Sequence, residues 1–401
     1  MSRIAGRHVV LGVSGGIACY KSCIVARRLT EAGAEVDAVL TASAARFVGA
    51  VTFEALTGRP VVTSLWQPEH ALDHVRLGRE TELIVVAPAT AHLLARMAQG
   101  MADDFLTSLL LARRAPLLVC PAMNDQMYAH PETQANLALL RSRGAHVLGP
   151  VTGPLARGEG EGPGRMVEPE LIVAHAERLL RSAAPWVGRR VLVTAGPTRE
   201  RLDPVRVVTN RSSGRMGYAL AHEAWLRGAD VTVVSGPASV EPPPGVEVVR
   251  VESTAEMAAA VGEALPLADV LLMAAAPADY RPAAPLAEKA RRGEGALKLD
   301  LEPTHDILAE SLPRRKKGAL VVGFALETGD AAAKARAKLE AKHLDAIVAN
   351  DAAEPGAGPE VATNRVTVIS KDGAEALPLL PKERVAEEIL DRLERLVSRR
   401  G

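Results

Sequence analysis

Twice along its length this chain sets short aliphatic and β-branched runs against longer stretches whose apolar residues recur at helical spacing. Runs of five or six apolar residues suit strands buried on both faces, and a helix between successive strands is what a parallel sheet requires. In the first series strands are expected at 8–13, 35–40, 83–87, 116–120 and 145–148, with helices at 17–29, 91–98 and 168–182. The second series places strands at 190–195, 230–234, 246–251, 269–274, 319–324, 345–349 and 365–369. It closes on an amphipathic helix at 382–397, with Val385, Ile389, Leu393 and Leu396 on one face. At 401 residues the chain exceeds what one core usually supports. The segment Ala183-Ala184-Pro185-Trp186-Val187-Gly188 marks the boundary, so two doubly wound, mainly parallel α/β domains are expected, 1–184 and 185–401.

Charge and composition narrow the function classes. Lys plus Arg and Asp plus Glu stand at 48 each, so no global field draws the chain to nucleic acid or an anionic membrane. Aromatic residues make up 3%, too few for a base-stacking surface. Cys19, Cys23 and Cys120 form no metal-binding pattern, and their odd number suits a reducing compartment. The opening MSRIAGRHVVLGVSGG runs straight into a strand without a signal-peptide core, and no apolar stretch reaches membrane-spanning length. A cytoplasmic protein acting on small molecules is expected, with no nucleic-acid or membrane partner and no dedicated protein metal site.

The chemistry gathers where strands end. In the first half Gly12-Val13-Ser14-Gly15-Gly16 joins the first strand to the first helix, a turn through which backbone N–H groups can meet a phosphate. Its spacing is not the GxGxxG of dinucleotide sites. Leu40-Thr41-Ala42-Ser43, Ala87-Pro88-Ala89-Thr90 and Cys120-Pro121-Ala122-Met123-Asn124 bring small polar residues to the same rim. In the second half the run GPTRERLDPVRVVTNRSSGRMG, from Gly196 to Gly217, lies between a strand and a helix and is rich in anion donors.

The motifs GVSGGIACYK, APATA, GMADDFL, PAMNDQMY and GPGRM, in this order, resemble the flavin-containing cysteine decarboxylases, and within them the phosphopantothenoylcysteine decarboxylases. GPTRE, DPVR and TNRSSGRMG resemble phosphopantothenate–cysteine ligases. Together they resemble the bifunctional enzymes of coenzyme A biosynthesis across essentially the whole chain. The resemblance implies a flavodoxin-like first domain and a Rossmann-like ligase domain. The ligase would couple cysteine to 4'-phosphopantothenate through an acyl-cytidylate made from CTP with Mg2+. The first domain would then oxidise the cysteinyl thiol, release carbon dioxide, and return hydride and a proton to give 4'-phosphopantetheine.

By the same resemblance FMN sits on the first rim, its phosphate near Ser14, Gly15 and Gly16, with Thr41, Ser43, Pro88, Ala89 and Thr90 around it. His74 matches the active-site histidine, and imidazole is suited to proton transfer at neutral pH. Asn124 matches the residue that holds the substrate carboxylate, and in isolation it would simply cap the next helix. Arg165 ends a Gly-rich stretch expected to form a lid. The family carries an acid cysteine on that lid, and here Arg157 or Gly158 takes its place. Glu159, Glu161 or water is the expected substitute donor. In the ligase, Asn210, Arg206 and Lys289 correspond to activation residues, and Ser212, Ser213 and Gly214 to a phosphate turn. Met273, Ala274, Ala275, Asp279, His305, Asp306, Ile307, Leu308, Phe324, Lys338 and Lys342 correspond to nucleotide contacts. A homo-oligomer is implied, with flavin-domain trimers and ligase-domain dimers whose sites are completed by neighbouring chains. Two rivals predict different behaviour: an FMN-binding first domain impaired in decarboxylation, and a dinucleotide-dependent oxidoreductase.

Overall fold

A computed structural model describes residues 4–66, 72–158, 160–182, 184–289 and 298–399. The chain divides into two compact units, Met1–Arg181 and Ser182–Gly401.

The first unit runs β1 (His8–Val13), α1 (Cys19–Glu31), β2 (Glu35–Leu40), α2 (Ala50–Thr57), α3 (Asp73–Glu80) and β3 (Leu83–Ala89). It continues through α4 (Ala91–Gln99), α5 (Phe105–Ala112), β4 (Leu117–Pro121), α6 (Asp125–Ala129), α7 (Pro131–Ser142) and β5 (Ala145–Val147). A hairpin, β6 (Val151–Pro154) with β7 (Glu161–Arg165), leads to α8 (Pro169–Arg181). The sheet order is β2-β1-β3-β4-β5, all parallel. Alternation along the strands feeds two cores, as a sheet covered on both faces demands. Val9, Leu11 and Val13 pack with α1 and α8, while Val10, Ile84 and Val86 pack with α4, α5 and α7. This is the flavodoxin-like order, which opens a crevice where β1 and β3 diverge to opposite sides.

The second unit begins with β8 (Arg190–Ala195), the hairpin β9 (Arg199–Arg201) and β10 (Val207–Thr209), α9 (Arg215–Leu226), β11 (Asp230–Ser235), β12 (Glu247–Arg250) and α10 (Thr254–Ala264). Then come β13 (Val270–Met273), β14 (Tyr280–Pro282), β15 (Leu301–Pro303), α11 (Ile307–Ser311), β16 (Leu320–Glu327), α12 (Ala331–Ala341) and β17 (Ala346–Asp351). The last elements are β18 (Thr363–Asn364), β19 (Thr367–Ser370), β20 (Gly373–Ala376), β21 (Leu380–Pro381) and α13 (Lys382–Ser398). The main sheet has the order β12-β11-β8-β13-β16-β17-β19-β20. Its first six strands are parallel in the Rossmann order, and β19 and β20 extend it antiparallel. Both units therefore have the expected doubly wound α/β class. The hairpins β9–β10 and β14–β15, only three residues per strand, are too short to register as a two-residue alternation and were not anticipated.

Trp186, in the segment read as a boundary, is fully buried and serves as core of the second unit. Among the described residues no helix is long and apolar enough to cross a membrane.

Candidate functional sites

In the first unit a cleft of about 850 Å³ opens at the carboxyl ends of β1, β2, β3 and β4. Ser14, Gly15, Gly16, Thr41, Ser43, Thr90, Asn124 and Arg165 all line it. Gly15 is required by a close approach: a Cβ there would lie 2.4 Å from the Ser43 Cβ. The Ser14 hydroxyl has a different task from the one expected. It donates to the Pro88 carbonyl at 2.7 Å and accepts from the Thr90 N–H at 3.0 Å. Its proton is thereby committed to joining the β1 and β3 turns, and it is not left over as an anion donor. Pro88 and Ala89 stand behind the cleft wall, Ala89 fully buried. Thr41 accepts from the Ala44 N–H at 3.2 Å and is nearly buried.

Asn124 caps α6 through Oδ1, which accepts from the Gln126 N–H at 2.9 Å, and its amide –NH2 has no partner among the described residues. The cap fixes the side chain while leaving two donors available to a ligand. The Gly-rich stretch forms the hairpin β6–β7, whose Pro154, Leu155, Gly164 and Arg165 line the cleft. It is pressed onto the Asn124 segment: Met123 N–H donates to the Gly164 carbonyl at 3.0 Å, and a Cβ on Gly164 would fall 2.2 Å from the Met123 carbonyl oxygen. Arg157, Gly158 and Glu161 are exposed on the hairpin, and Glu159 lies outside the described residues.

His74 is not on the cleft. It sits on α3, edge-on to Phe105 at 6.2 Å between ring centroids, with Nδ1 buried and unpartnered among the described residues. None of the cysteines supplies the acid expected on the lid. Cys19 and Cys120 are buried, and burial pushes both thiols, and that of Cys23, above the ordinary range.

The charged residues in and beside the motifs GVSGGIACYK and GMADDFL have no role in the sequence reading. Lys21 is almost fully buried, donating to the Met166 carbonyl and to Glu168, each at 3.1 Å. Glu168 also pairs with Arg165 at 2.5 Å, so α1 tethers the foot of the hairpin. Arg96, equally buried, bonds Asp103, Asp104 at 2.9 Å and Thr107 at 3.1 Å, and Asp104 with Thr107 forms the capping box of α5. Lys21, Arg96 and Asp104 thus hold the cleft walls.

In the second unit the run after β8 and the segment after β13 meet where the Rossmann order reverses. Ala276 N–H donates to the Gly196 carbonyl at 2.9 Å, Ala275 N–H to the Thr194 hydroxyl at 3.1 Å, and Asn210 Nδ2 to the Pro277 carbonyl at 2.8 Å. Beneath them Thr198, Thr254 and Glu200 form a buried network, with the Thr254 N–H and hydroxyl both donating to Glu200 at 2.8 Å. These residues also escaped the sequence reading, because β9 was not foreseen. Gly214, at φ 78°, caps α9 in the left-handed region, and a Cβ there would meet Ala238 at 2.7 Å. Ser213 donates to the Pro359 carbonyl at 2.6 Å and is buried, whereas Ser212 is half-exposed.

Arg206 pairs with buried Asp203 at 3.0 Å and remains exposed. The loop carrying Lys289 is attached nearby by the Leu286 N–H, which donates to the Leu202 carbonyl at 2.9 Å. Lys289 itself is exposed, at the edge of the described residues. Asp279 is exposed, and its backbone carbonyl accepts from the Thr304 N–H at 3.0 Å. Asp306 caps α11 and binds Lys342 at 2.8 Å, while Lys338 binds Glu327 at 2.5 Å. His305 pairs with Glu310 at 2.9 Å. Ile307 and Leu308 are corrected by the structure: their side chains lie in the hydrophobic core, so only their backbone can meet a ligand. Alternation along β16 turns Phe324, half-buried, to the sheet face opposite Val321 and Ala325, which pack under α12. Met273 and Ala275 pack partly against that core, and Ala274 is half-exposed beside them.

Two family descriptions match the chain in succession: "Flavoprotein" over residues 2–181 and "DNA/pantothenate metabolism flavoprotein C-terminal domain" over residues 186–396. Similar chains include two proteins named coenzyme A biosynthesis bifunctional protein CoaBC. That of Mycobacterium tuberculosis is 49% identical over 401 residues, covering 96% of each chain. That of Vibrio vulnificus is 44% identical over 402 residues, covering 99% of this chain and all of the other. Among solved structures, the C-terminal domain of a CoaBC protein is 43% identical over 53% of this chain and 97% of its own, with a TM-score of 0.45. A mutant PPC decarboxylase complexed with pantothenoylaminoethenethiol is 30% identical over 43% of this chain and 96% of its own, with a TM-score of 0.39. With both halves matched in order and relatives above 40% identity along nearly the whole length, the chain belongs to the family of coenzyme A biosynthesis bifunctional proteins.

Proposed function

We propose that this chain joins cysteine to 4'-phosphopantothenate at the expense of CTP and then decarboxylates the product to 4'-phosphopantetheine. Residues 1–184 would form the decarboxylase and 185–401 the ligase, in a cytoplasmic homo-oligomer. One observation carries this reading: the decarboxylase-like and ligase-like motifs each fall at the topological switch point of their own sheet, where α/β proteins bind ligands.

In the ligase the carboxylate of 4'-phosphopantothenate attacks the α-phosphorus of CTP, forming an acyl-cytidylate and releasing pyrophosphate. The amine of cysteine then displaces CMP as the amide bond forms. Asn210, Arg206 and Lys289 would oppose the charge that develops on the phosphorus. The α9 amino end with Ser212 and Gly214 would take the phosphates, while Ser213, whose hydroxyl and N–H both donate to the Pro359 carbonyl, would hold that turn in place. Met273, Ala274, Ala275 and Asp279, the backbone of residues 305–308, and Phe324, Lys338 and Lys342 would bind the rest of the nucleotide. Mg2+ would arrive bound to the triphosphate.

The first cleft suits FMN, since Gly15 leaves beside Ser43 a space that any side chain would fill, and the four strand tips enclose a volume of ligand size. Bound there, FMN would supply the reversible two-electron chemistry that makes loss of carbon dioxide possible. The backbone of Gly15 and Gly16, with Thr41, Ser43 and Thr90, would hold its phosphate. The free amide of Asn124 would orient the substrate carboxylate, and the hairpin with Arg165 would exclude water. His74 would serve the cleft of a neighbouring chain. Its separation from its own cleft supports an oligomer, as do the exposed apolar side chains Ile17, Tyr20 and Met127 at the cleft rim. Impaired decarboxylation is not favoured, because the relatives matched over both halves are named bifunctional.

The test is to incubate the purified chain with 4'-phosphopantothenate, cysteine and CTP while following CMP, carbon dioxide and bound flavin colour. Failure to release CMP would refute the ligase, and CMP without carbon dioxide would refute the decarboxylase.

A further inference from the structure

Lys382 opens α13 and is 2% exposed. Its Nζ donates to the carbonyls of Gly358 at 2.8 Å and Pro359 at 3.2 Å, and among the described residues it forms no ion pair. A buried ammonium held only by carbonyls is costly, and the amino end of a helix is the wrong place for a cation. Burial, and after it the charge of Arg215, pull its pKa down to about 8, with only Glu383 acting the other way.

What the ammonium touches gives it a task. The Pro359 carbonyl it holds is the same one that accepts from Ser213, through Oγ at 2.6 Å and N–H at 3.4 Å. The segment is fastened at its other end as well: the Lys382 N–H donates to the Ala362 carbonyl at 2.9 Å, and the Thr363 hydroxyl to Gly356 at 2.5 Å. Helices α9 and α13 are locked side by side through buried Arg227, which binds Asp391 and Glu394, each at 2.6 Å. The turn before α9 and the first residue of α13 are thus joined through one shared carbonyl.

We propose that Lys382 is a positioning residue of the ligase site: it holds the Gly358–Pro359 carbonyls against Ser213, presets the Ser212-Ser213-Gly214 turn, and in its ammonium form adds positive charge behind that turn. This rests on the ligase reading above. It predicts that the cost of losing the charge grows with the charge of the ligand.

Lys382→Met, Lys382→Gln and Lys382→Arg separate the contributions, since Gln keeps donors without charge and Arg keeps both. Binding of CTP, CMP and tripolyphosphate is measured by calorimetry on the full chain, beside steady-state CMP release. In Lys382→Met, CTP and tripolyphosphate should bind at least about tenfold more weakly while CMP changes by less than about threefold. The loss should appear mainly in the KM for CTP, and Arg should restore more of it than Gln. A uniform loss for all ligands, or none, would overturn the proposal with the ligase assignment intact. Wild-type protein that binds no CTP would overturn both. If Lys382→Met fails to fold, as judged by the melting transition, the comparison of Gln with Arg decides, and equal behaviour of these two rejects the role of charge.

Discussion

Replacing Gly164 by alanine tests how the first cleft is held in shape. The added Cβ would stand 2.2 Å from the Met123 carbonyl oxygen and 3.2 Å from the Asn124 carbonyl carbon, and both neighbours are backbone. Carbon and oxygen cannot approach so closely, so hairpin and segment must part by roughly 1 Å to restore contact distance. That movement breaks the hydrogen bond from Met123 to Gly164 and shifts Asn124, whose free amide is the substrate donor proposed here. Overpacking of this kind costs about 1–3 kcal/mol of stability. A displacement near 1 Å costs about a hundredfold in a positioned reaction. Carbon dioxide release from 4'-phosphopantothenoylcysteine should therefore fall about a hundredfold, while CMP release by the same molecules is unchanged. Gly58→Ala is the control: at φ 68° with nothing within 4 Å of its Cβ, it costs about 1–2 kcal/mol of strain without touching the cleft. Wild-type decarboxylation by folded Gly164→Ala protein would refute the link between hairpin seating and Asn124.

Other expectations follow from single groups. Burial, helped by the charges of Arg178 and His146, lowers the His175 pKa to about 4. The unfolded chain then binds more protons between about pH 6.5 and 4, so stability should decline through that window by roughly 1–3 kcal/mol, and His175→Gln should flatten the decline in urea titrations. Lys342→Ala removes an exposed ion pair with Asp306, so the melting temperature should barely move, whereas the KM for CTP should rise several-fold; an unchanged KM would return Lys342 to the status of a solvated lysine. Product mass analysis tests the lid, where Arg157 is exposed and a guanidinium is a poor proton donor. If the missing acid limits proton return, unsaturated thiol should accompany the saturated product and Arg157→Cys should reduce it; saturated thiol alone would show that Glu161, Glu159 or water suffices.

Strands were legible wherever both faces are buried. The stretches 8–13, 35–40 and 190–195 are mostly aliphatic, with Glu35, Asp37 and Arg190 as their charged exceptions, and the structure gives strands with those same bounds. What was not legible depends on partners distant in the chain. Ser14 reads locally as a phosphate donor, yet its proton goes to Pro88, seventy-four residues away. Ile307 and Leu308 look like part of a ligand loop, yet the α11 turn rotates them into the core. His74 was grouped with the flavin motifs by resemblance, and α3 carries it off the cleft.

By itself the sequence determined two doubly wound domains, their order and the strand tips that carry chemistry, because buried-strand periodicity and the turns that follow are local properties of the chain. Tertiary structure alone decided which polar groups remain available at those tips. A hydroxyl, a lysine or a carboxylate is committed or free according to what another element brings within about 3 Å, and the pairing of Lys382 with Ser213 through Pro359, across α9 and α13, is written in no single stretch of the chain.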